Sequence, residues 1–144
     1  MTNYPDQDKA PVEGQLRAGA HTDYGALTLL KSENKPGSLE VMNKSGQWEA
    51  VPMLPNTYVV NIGDLMARWT NDRWVSTMHR VGNPPREQAM GSRRQSLIFF
   101  FHPNYDARIE CIPSCFGDKA KYGPITTSEH LMSKIQKMQE VTKG

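Results

Sequence analysis

The sequence has few cysteines, almost no excess of charge of either sign and no long hydrophobic run. Two cysteines among 144 residues are too few for a disulfide framework, and no second ligand pair at zinc spacing accompanies them. The 17 basic and 15 acidic residues give a net charge of +2, which offers no electrostatic footprint for nucleic acid or an anionic membrane. The longest apolar stretch, Leu97–Phe101, is far too short to span a bilayer. Because no signal peptide is visible at the N-terminus either, we predict a cytoplasmic protein that binds neither nucleic acid nor membrane.

Short apolar segments alternate with turn signals over most of the chain, and this pattern is typical of an antiparallel sandwich or barrel. Leu39–Met42 and Trp48–Val51 flank the turn Asn43–Gly46, which predicts a hairpin. Gln95–Phe101 is the strongest strand candidate. Residues 1–20 have no clear period and indicate loop with at most one short strand. The length fits one domain over residues 1–144, and we expect a mainly β fold.

The C-terminal segment has a different pattern, which predicts an amphipathic helix of three to four turns. Thr126 and Glu129 have the spacing of a capping box at its start. Three apolar residues recur at helical spacing after it: Leu131, Ile135 and Met138. We expect this apolar stripe to pack on the sheet, and we expect His130, in the first turn, to lie in solvent.

The segment His21-Thr22-Asp23 places an imidazole and a carboxylate two residues apart before a predicted strand. Residues at this spacing on an extended backbone project to the same side. A histidine from another strand would complete the two-histidine, one-carboxylate set of non-haem Fe(II) oxygenases, and His79 is the candidate. The pattern alone is common, and a strand-edge histidine beside a turn-forming aspartate is the plain alternative.

Arg94 and Ser96 stand at the same two-residue spacing where the strongest predicted strand begins. A fixed guanidinium with a hydroxyl beside it suits the bidentate capture of a carboxylate, which a lysine would perform less well. Alternation places Ile98 and Phe100 on the same face, so that face is typical of a pocket wall. The alternative is a solvated strand edge, because Arg93 lies next to Arg94.

Several stretches together resemble a known family. They are Arg17–Leu30 (RAGAHTDYGALTLL), Val59–Asp72 (VVNIGDLMARWTND), Ser76–Val81 (STMHRV), Arg93–Phe101 (RRQSLIFFF), Asn104–Ala107 and Ile109–Pro113. In this order they resemble the 2-oxoglutarate- and Fe(II)-dependent oxygenases of the isopenicillin N synthase-like family. The resemblance extends from about Tyr4 to the C-terminal helix, and the order of its motifs is far more specific than the His-x-Asp pattern.

The resemblance implies a set of site residues. The ligands of Fe(II), and hence the catalytic centre, would be His21, Asp23 and His79. The residues that hold the cosubstrate 2-oxoglutarate would be Arg94 and Ser96, at its distal carboxylate, together with Tyr4. Phe100 would line the substrate pocket.

The resemblance also implies a fold and an activity. The fold would be a double-stranded β-helix, or jelly roll, with a C-terminal amphipathic helix. Residues 1–144 would form the catalytic core without the family's N-terminal helical region, so an uncovered apolar surface would favour self-association. The reaction would couple oxidative decarboxylation of 2-oxoglutarate by O2 to hydroxylation or desaturation of a small organic molecule. Two alternatives stay open: a 2-oxoglutarate-independent oxidase of the same fold, and an inactive truncated jelly-roll fragment.

Overall fold

The computed structural model describes residues 1–6, 11–12, 14–35, 37 and 39–142. In these ranges the chain is mainly β, with one short and one long α-helix. The elements are β1 (Thr2–Tyr4), β2 (Leu16–His21), β3 (Leu27–Ser32), β4 (Leu39–Met42), β5 (Trp48–Ala50), β6 (Val59–Ile62), α1 (Asp64–Trp69), β7 (His79–Gly82), β8 (Arg94–Phe101), β9 (Arg108–Ile109), β10 (Ile125–Thr126) and α2 (Thr127–Thr142). Within the same ranges, no helix has the length and apolarity needed to cross a membrane.

The strands form two four-stranded sheets and one two-stranded sheet. Their orders are β1-β8-β3-β6, β2-β7-β4-β5 and β10-β9. The pairs β1–β8, β2–β7, β4–β5 and β4–β7 are antiparallel. Two features of the register matter for function: Tyr4 is opposite Arg94, and His21 is opposite His79.

The chain divides into two compact units. The first comprises Met1–Thr22, Leu29–Val60 and Thr77–Phe99, and the second comprises Asp23–Thr28, Asn61–Ser76 and Phe100–Gly144. In the first unit the buried apolar side chains include Leu39 and Val81, and in the second they include Leu65 and Ile109. A single domain over residues 1–144 stays a prediction.

The hairpin prediction is confirmed, because β4 and β5 pair antiparallel around the turn at Asn43–Gly46. The prediction of loop with at most one strand over residues 1–20 is wrong, since both β1 and β2 form there. Their partners, β8 and β7, lie far along the chain. These strands therefore form through distant pairing and carry no local alternation that would reveal them.

Helix α2 begins with the predicted capping box. The Thr126 backbone N–H donates to Glu129 Oε2 at 2.8 Å, and the Glu129 N–H donates to Thr126 Oγ1 at 3.2 Å. The predicted packing of its apolar stripe is wrong for Ile135 and Met138, which are 36% and 51% exposed. The prediction that His130 lies in solvent is also wrong, because it is 5% exposed. The most buried residues of the helix, Thr127 and His130, are polar.

Candidate metal centre

The structure brings His21, Asp23 and His79 together. One ligand atom from each lies within 4.8 Å of the other two. The pairing of β2 with β7 places the two histidines opposite each other, with ring centroids 4.3 Å apart. The sequence motif supplies Asp23 two residues beyond His21, and the strand pairing supplies the third ligand.

Both histidines are oriented by a main-chain carbonyl next to Nδ1. His21 Nδ1 lies 2.7 Å from the Gly19 carbonyl oxygen, and His79 Nδ1 lies 3.0 Å from that of Thr77. A carbonyl oxygen can only accept a hydrogen bond, so each Nδ1 carries the proton and donates it. In a neutral ring with its proton on Nδ1, the lone pair lies on Nε2, the nitrogen that would bind a metal.

The carboxylate of Asp23 is buried and oriented by two side chains. Its Oδ2 accepts hydrogen bonds from Thr28 Oγ1 at 2.6 Å and from Asn61 Nδ2 at 2.7 Å. The main-chain carbonyl of Asp23 also accepts a hydrogen bond from the Asp64 N–H, at 2.7 Å. Two imidazoles and an oriented carboxylate are a donor set that fits Fe(II). Sequence reasoning missed Thr28 and Asn61, although both lie within the stretches that carry the family resemblance.

Close backbone contact holds the segment after Asp23 against the start of α1. The Gly63 N–H donates to the Ala26 carbonyl at 3.0 Å, and the Leu65 N–H donates to the Gly25 carbonyl at 3.0 Å. A Cβ atom at residue 63 would overlap the Gly25 carbonyl, so only glycine permits this approach. Gly63, which lies between β6 and α1, thus lets α1 dock on the backbone that carries Asp23.

Helix α2 contacts the same region through two polar residues one turn apart. His130 Nε2–H donates to the Tyr24 carbonyl at 3.1 Å, and Lys134 Nζ lies 2.6 Å from Asp64 Oδ2. Burial lowers the pKa of His130, and the charge of Lys134 acts in the same direction. His130 is therefore a neutral ring that links α2 to the residue immediately after Asp23.

Arg94 is an almost fully buried cation at the start of β8. It is 1% exposed; its Nη1 donates to Ser32 Oγ at 3.1 Å, and Ser32 Oγ lies 2.9 Å from Ser96 Oγ. The guanidinium carbon lies 4.7 Å from the centre of the Tyr4 ring. Among the described residues, Arg94 Nε has no hydrogen-bond partner and no carboxylate forms an ion pair with Arg94. Such a desolvated charge favours the binding of an anion.

Phe100 lies near the end of β8 and is 51% exposed. Its exposed ring is compatible with the predicted place in a substrate pocket, and that role stays a prediction. Ser32, which bridges Arg94 and Ser96, was missed by sequence reasoning because the pairing of distant segments brings it there.

Comparison with known proteins decides the family. The family model described as the 2OG-Fe(II) oxygenase superfamily matches residues 1–103. The chain belongs to this superfamily. The predicted resemblance is therefore confirmed, and so are the predicted cofactors of the family, Fe(II) and 2-oxoglutarate.

Individual relatives agree with this assignment. The chain is 38% identical, over 94% of its length, to homoarginine-6-hydroxylase 2-ODD-233 of Oryza sativa. It is 42% identical, over 90% of its length, to the 2-oxoglutarate-Fe(II) type oxidoreductase hxnY of Emericella nidulans. The crystal structure of a full-length Neurospora crassa protein in complex with alpha-KG and thymine matches 88% of the chain, with a TM-score of 0.81 and 40% identity. The predicted fold class, a jelly roll with a C-terminal helix, is confirmed.

The chain is shorter than these relatives. It spans 41% of the rice protein, 36% of the Emericella oxidoreductase and 38% of the Neurospora chain. Their full activities and substrates are thus properties of longer polypeptides.

Proposed function

We propose that this chain forms the Fe(II)- and 2-oxoglutarate-binding site of a dioxygenase that oxidises a small organic molecule. The observation that carries the proposal is the grouping of His21, Asp23 and His79, with ligand atoms within 4.8 Å of one another. When bound, Fe(II) supplies the activation of O2 by which 2-oxoglutarate is converted to succinate and CO2 while the substrate is oxidised. In a hydroxylation, one oxygen atom of O2 enters succinate and the other enters the substrate.

The residues of the chain bind and orient the reactants. His21 and His79 would hold the metal through Nε2, and Asp23 would hold it through a carboxylate that Thr28 and Asn61 orient. A metal held by these three residues would keep its remaining coordination positions for the cosubstrate and O2.

The cosubstrate site would lie at Arg94 and Ser96. The buried guanidinium, which lacks a carboxylate partner among the described residues, would pair with the distal carboxylate of 2-oxoglutarate. Tyr4 packs on the guanidinium and would orient it. Among the described residues, this buried guanidinium without a carboxylate partner fits a ligand that brings a carboxylate, as 2-oxoglutarate does.

The proposed substrate class is a small organic molecule. One similar structure contains thymine, and one similar protein is named a homoarginine-6-hydroxylase. Thymine and homoarginine are both small polar molecules. We propose that Phe100, whose ring is 51% exposed, forms an apolar wall for the corresponding substrate here.

Anaerobic titration tests the proposal directly. We expect addition of 2-oxoglutarate to the Fe(II)-loaded protein to produce a visible charge-transfer band, and we expect Arg94→Lys to weaken binding because Lys cannot form the bidentate pair. Iron binding without this band would favour the oxidase alternative. A band without any iron-dependent release of succinate under O2 would favour the inactive fragment.

The proposed protein is cytoplasmic and self-associates. A cytoplasmic location is supported by Cys111 and Cys115, which are both free thiols. Self-association is supported by Leu97 and Phe99, which alternate along β8 and are 58% and 61% exposed.

A further inference from the structure

Arg17 on β2 binds three acceptors next to Tyr4 and Arg94 in the chain. Its Nη1 donates to the Ser92 carbonyl at 3.1 Å. Its Nη2 donates to the Ser92 hydroxyl at 2.8 Å and to the Pro5 carbonyl at 3.2 Å. Pro5 directly follows Tyr4, and Ser92 lies two residues before Arg94. One guanidinium thus joins the end of β1 to the start of β8.

The anchor at Ser92 is rigid. Ser92 is fully buried, and its hydroxyl donates to the Ala89 carbonyl at 2.6 Å while it accepts from Arg17. Because this hydroxyl both donates and accepts a hydrogen bond, its rotation would leave a buried polar group without a partner. Since β1 and β8 pair with Tyr4 opposite Arg94, Arg17 holds both strands where this pair lies.

Both guanidinium groups also contact the same aromatic ring. The guanidinium carbons of Arg94 and Arg17 lie 4.7 and 5.9 Å from the centre of the Tyr4 ring. Burial lowers the pKa of Arg94, and repulsion from Arg17 acts in the same direction. The two cations therefore raise the local positive potential at the place where the cosubstrate carboxylate would bind.

We propose that Arg17 is a positioning residue for the cosubstrate. It fixes Tyr4 and Arg94 in the arrangement that captures a distal carboxylate, and so gives the site its preference for a 2-oxo dicarboxylic acid over a 2-oxo monocarboxylic acid. This inference rests on the proposed function above.

The geometry of Arg17 matters more than its charge. A guanidinium donates from separate nitrogens in fixed directions, and Arg17 uses two of them on three acceptors. A lysine at this position keeps the charge but cannot bridge Pro5 and both polar groups of Ser92 in the same way. Arg17→Lys therefore removes the positioning of Tyr4 and Arg94 while it keeps the electrostatic attraction of residue 17 for the cosubstrate carboxylate.

The test compares two ligands on the full chain loaded with Fe(II) without O2. The ligands are 2-oxoglutarate and 2-oxopentanoate, which has the same oxo-acid end and a methyl group in place of the distal carboxylate. Dissociation constants come from the visible band for the wild type, Arg17→Lys and Arg17→Met. The control is Arg93→Met, which removes an exposed cation next to Arg94 and keeps the backbone N–H that Arg93 donates to Asp6. Thermal midpoints are recorded for every variant.

We expect both Arg17 variants to bind 2-oxoglutarate about tenfold more weakly, as for loss of a hydrogen bond to a charged group. Binding of 2-oxopentanoate and the control variant should be unchanged. Wild-type affinity for 2-oxoglutarate in Arg17→Lys would overturn the inference, and so would equal weakening of both ligands with a lowered thermal midpoint, which marks a purely structural role. Absence of the 2-oxoglutarate band in the wild type would instead overturn the proposed function, and the inference with it.

Discussion

Asn61 donates its side-chain amide to Oδ2 of Asp23 at 2.7 Å, across 38 positions of sequence. Thr28 donates to the same oxygen at 2.6 Å. The two donors fix the carboxylate plane before any metal arrives, so part of the entropic cost of assembling the site is already met in the fold.

Asn61→Ala should weaken Fe(II) binding by about 10–100-fold, the usual cost of losing a residue that orients a metal ligand. The variant keeps all three ligands but leaves Asp23 with one fewer donor. Anaerobic equilibrium dialysis measures the affinity, with Asn34→Ala, an exposed asparagine, as the matched control. Equal affinities for Asn61→Ala and the wild type would contradict the role given to Asn61.

Asp23→Ala should abolish iron-dependent succinate release from 2-oxoglutarate. Removal of the carboxylate leaves only two imidazole ligands, and the metal is held too weakly and in the wrong geometry. Succinate is quantified under O2 with and without added Fe(II), and Asp118→Ala, at an exposed position, serves as the control. The enzymatic proposal for this chain would fail if Asp23→Ala and the wild type turned over equally.

His130 should make the protein less stable as the pH falls. Its pKa is lowered in the folded state by burial, so below about pH 6.5 the unfolded chain binds a proton that the folded chain does not. The stabilisation is therefore full above the unfolded pKa and is lost as the pH falls through the folded value.

His130→Gln tests this titration, since its amide can still donate to the Tyr24 carbonyl but does not titrate. The free energy of unfolding, from urea denaturation between about pH 8 and about pH 5, should fall less steeply for this variant than for the wild type. His21 and His79 are common to both proteins and cancel in the comparison. If the free energy of unfolding changed equally with pH in the two proteins, His130 would not contribute to the pH dependence of stability.

The double substitution Leu97→Thr and Phe99→Thr should reduce self-association. Both side chains are more than half exposed, and threonine keeps the β propensity of the strand while it removes apolar surface. Sedimentation velocity over a range of concentrations gives the association state. A wild-type protein that stays monomeric at every concentration would disprove the predicted association.

Much of the site could be predicted because its signals are local. The two-residue spacing of Arg94 and Ser96 places both side chains on the buried face of β8. His21 and Asp23, also two residues apart, bring their ligand atoms to one group. The hairpin at Asn43–Gly46 is likewise read from neighbours in the chain. In each case, the pattern and the structure that it predicts involve the same neighbouring residues.

The supporting residues could not be predicted for the opposite reason. Asn61, Ser32 and Arg17 act on partners 38, 62 and 75 positions away, so their roles exist only once the strands pair. The burial of His130 on α2 could not be predicted for the same reason. The apolar period that includes Ile135 does not indicate that His130 donates to the distant Tyr24 carbonyl. Local patterns indicate which residues can do chemistry, while distant pairing decides which residues hold them in place.

The register of β2 against β7 has a consequence for how this strand can vary. The pairing is already irregular between Leu16 and Ala18 and again between Ala18 and His21, and it returns to place His21 opposite His79. Removal or addition of one residue here would turn the imidazole of His21 to the other face of the sheet. Related sequences can therefore exchange side chains along this strand at positions other than Arg17 and His21, whereas the number of residues between Leu16 and His21 should stay constant wherever the metal site is kept.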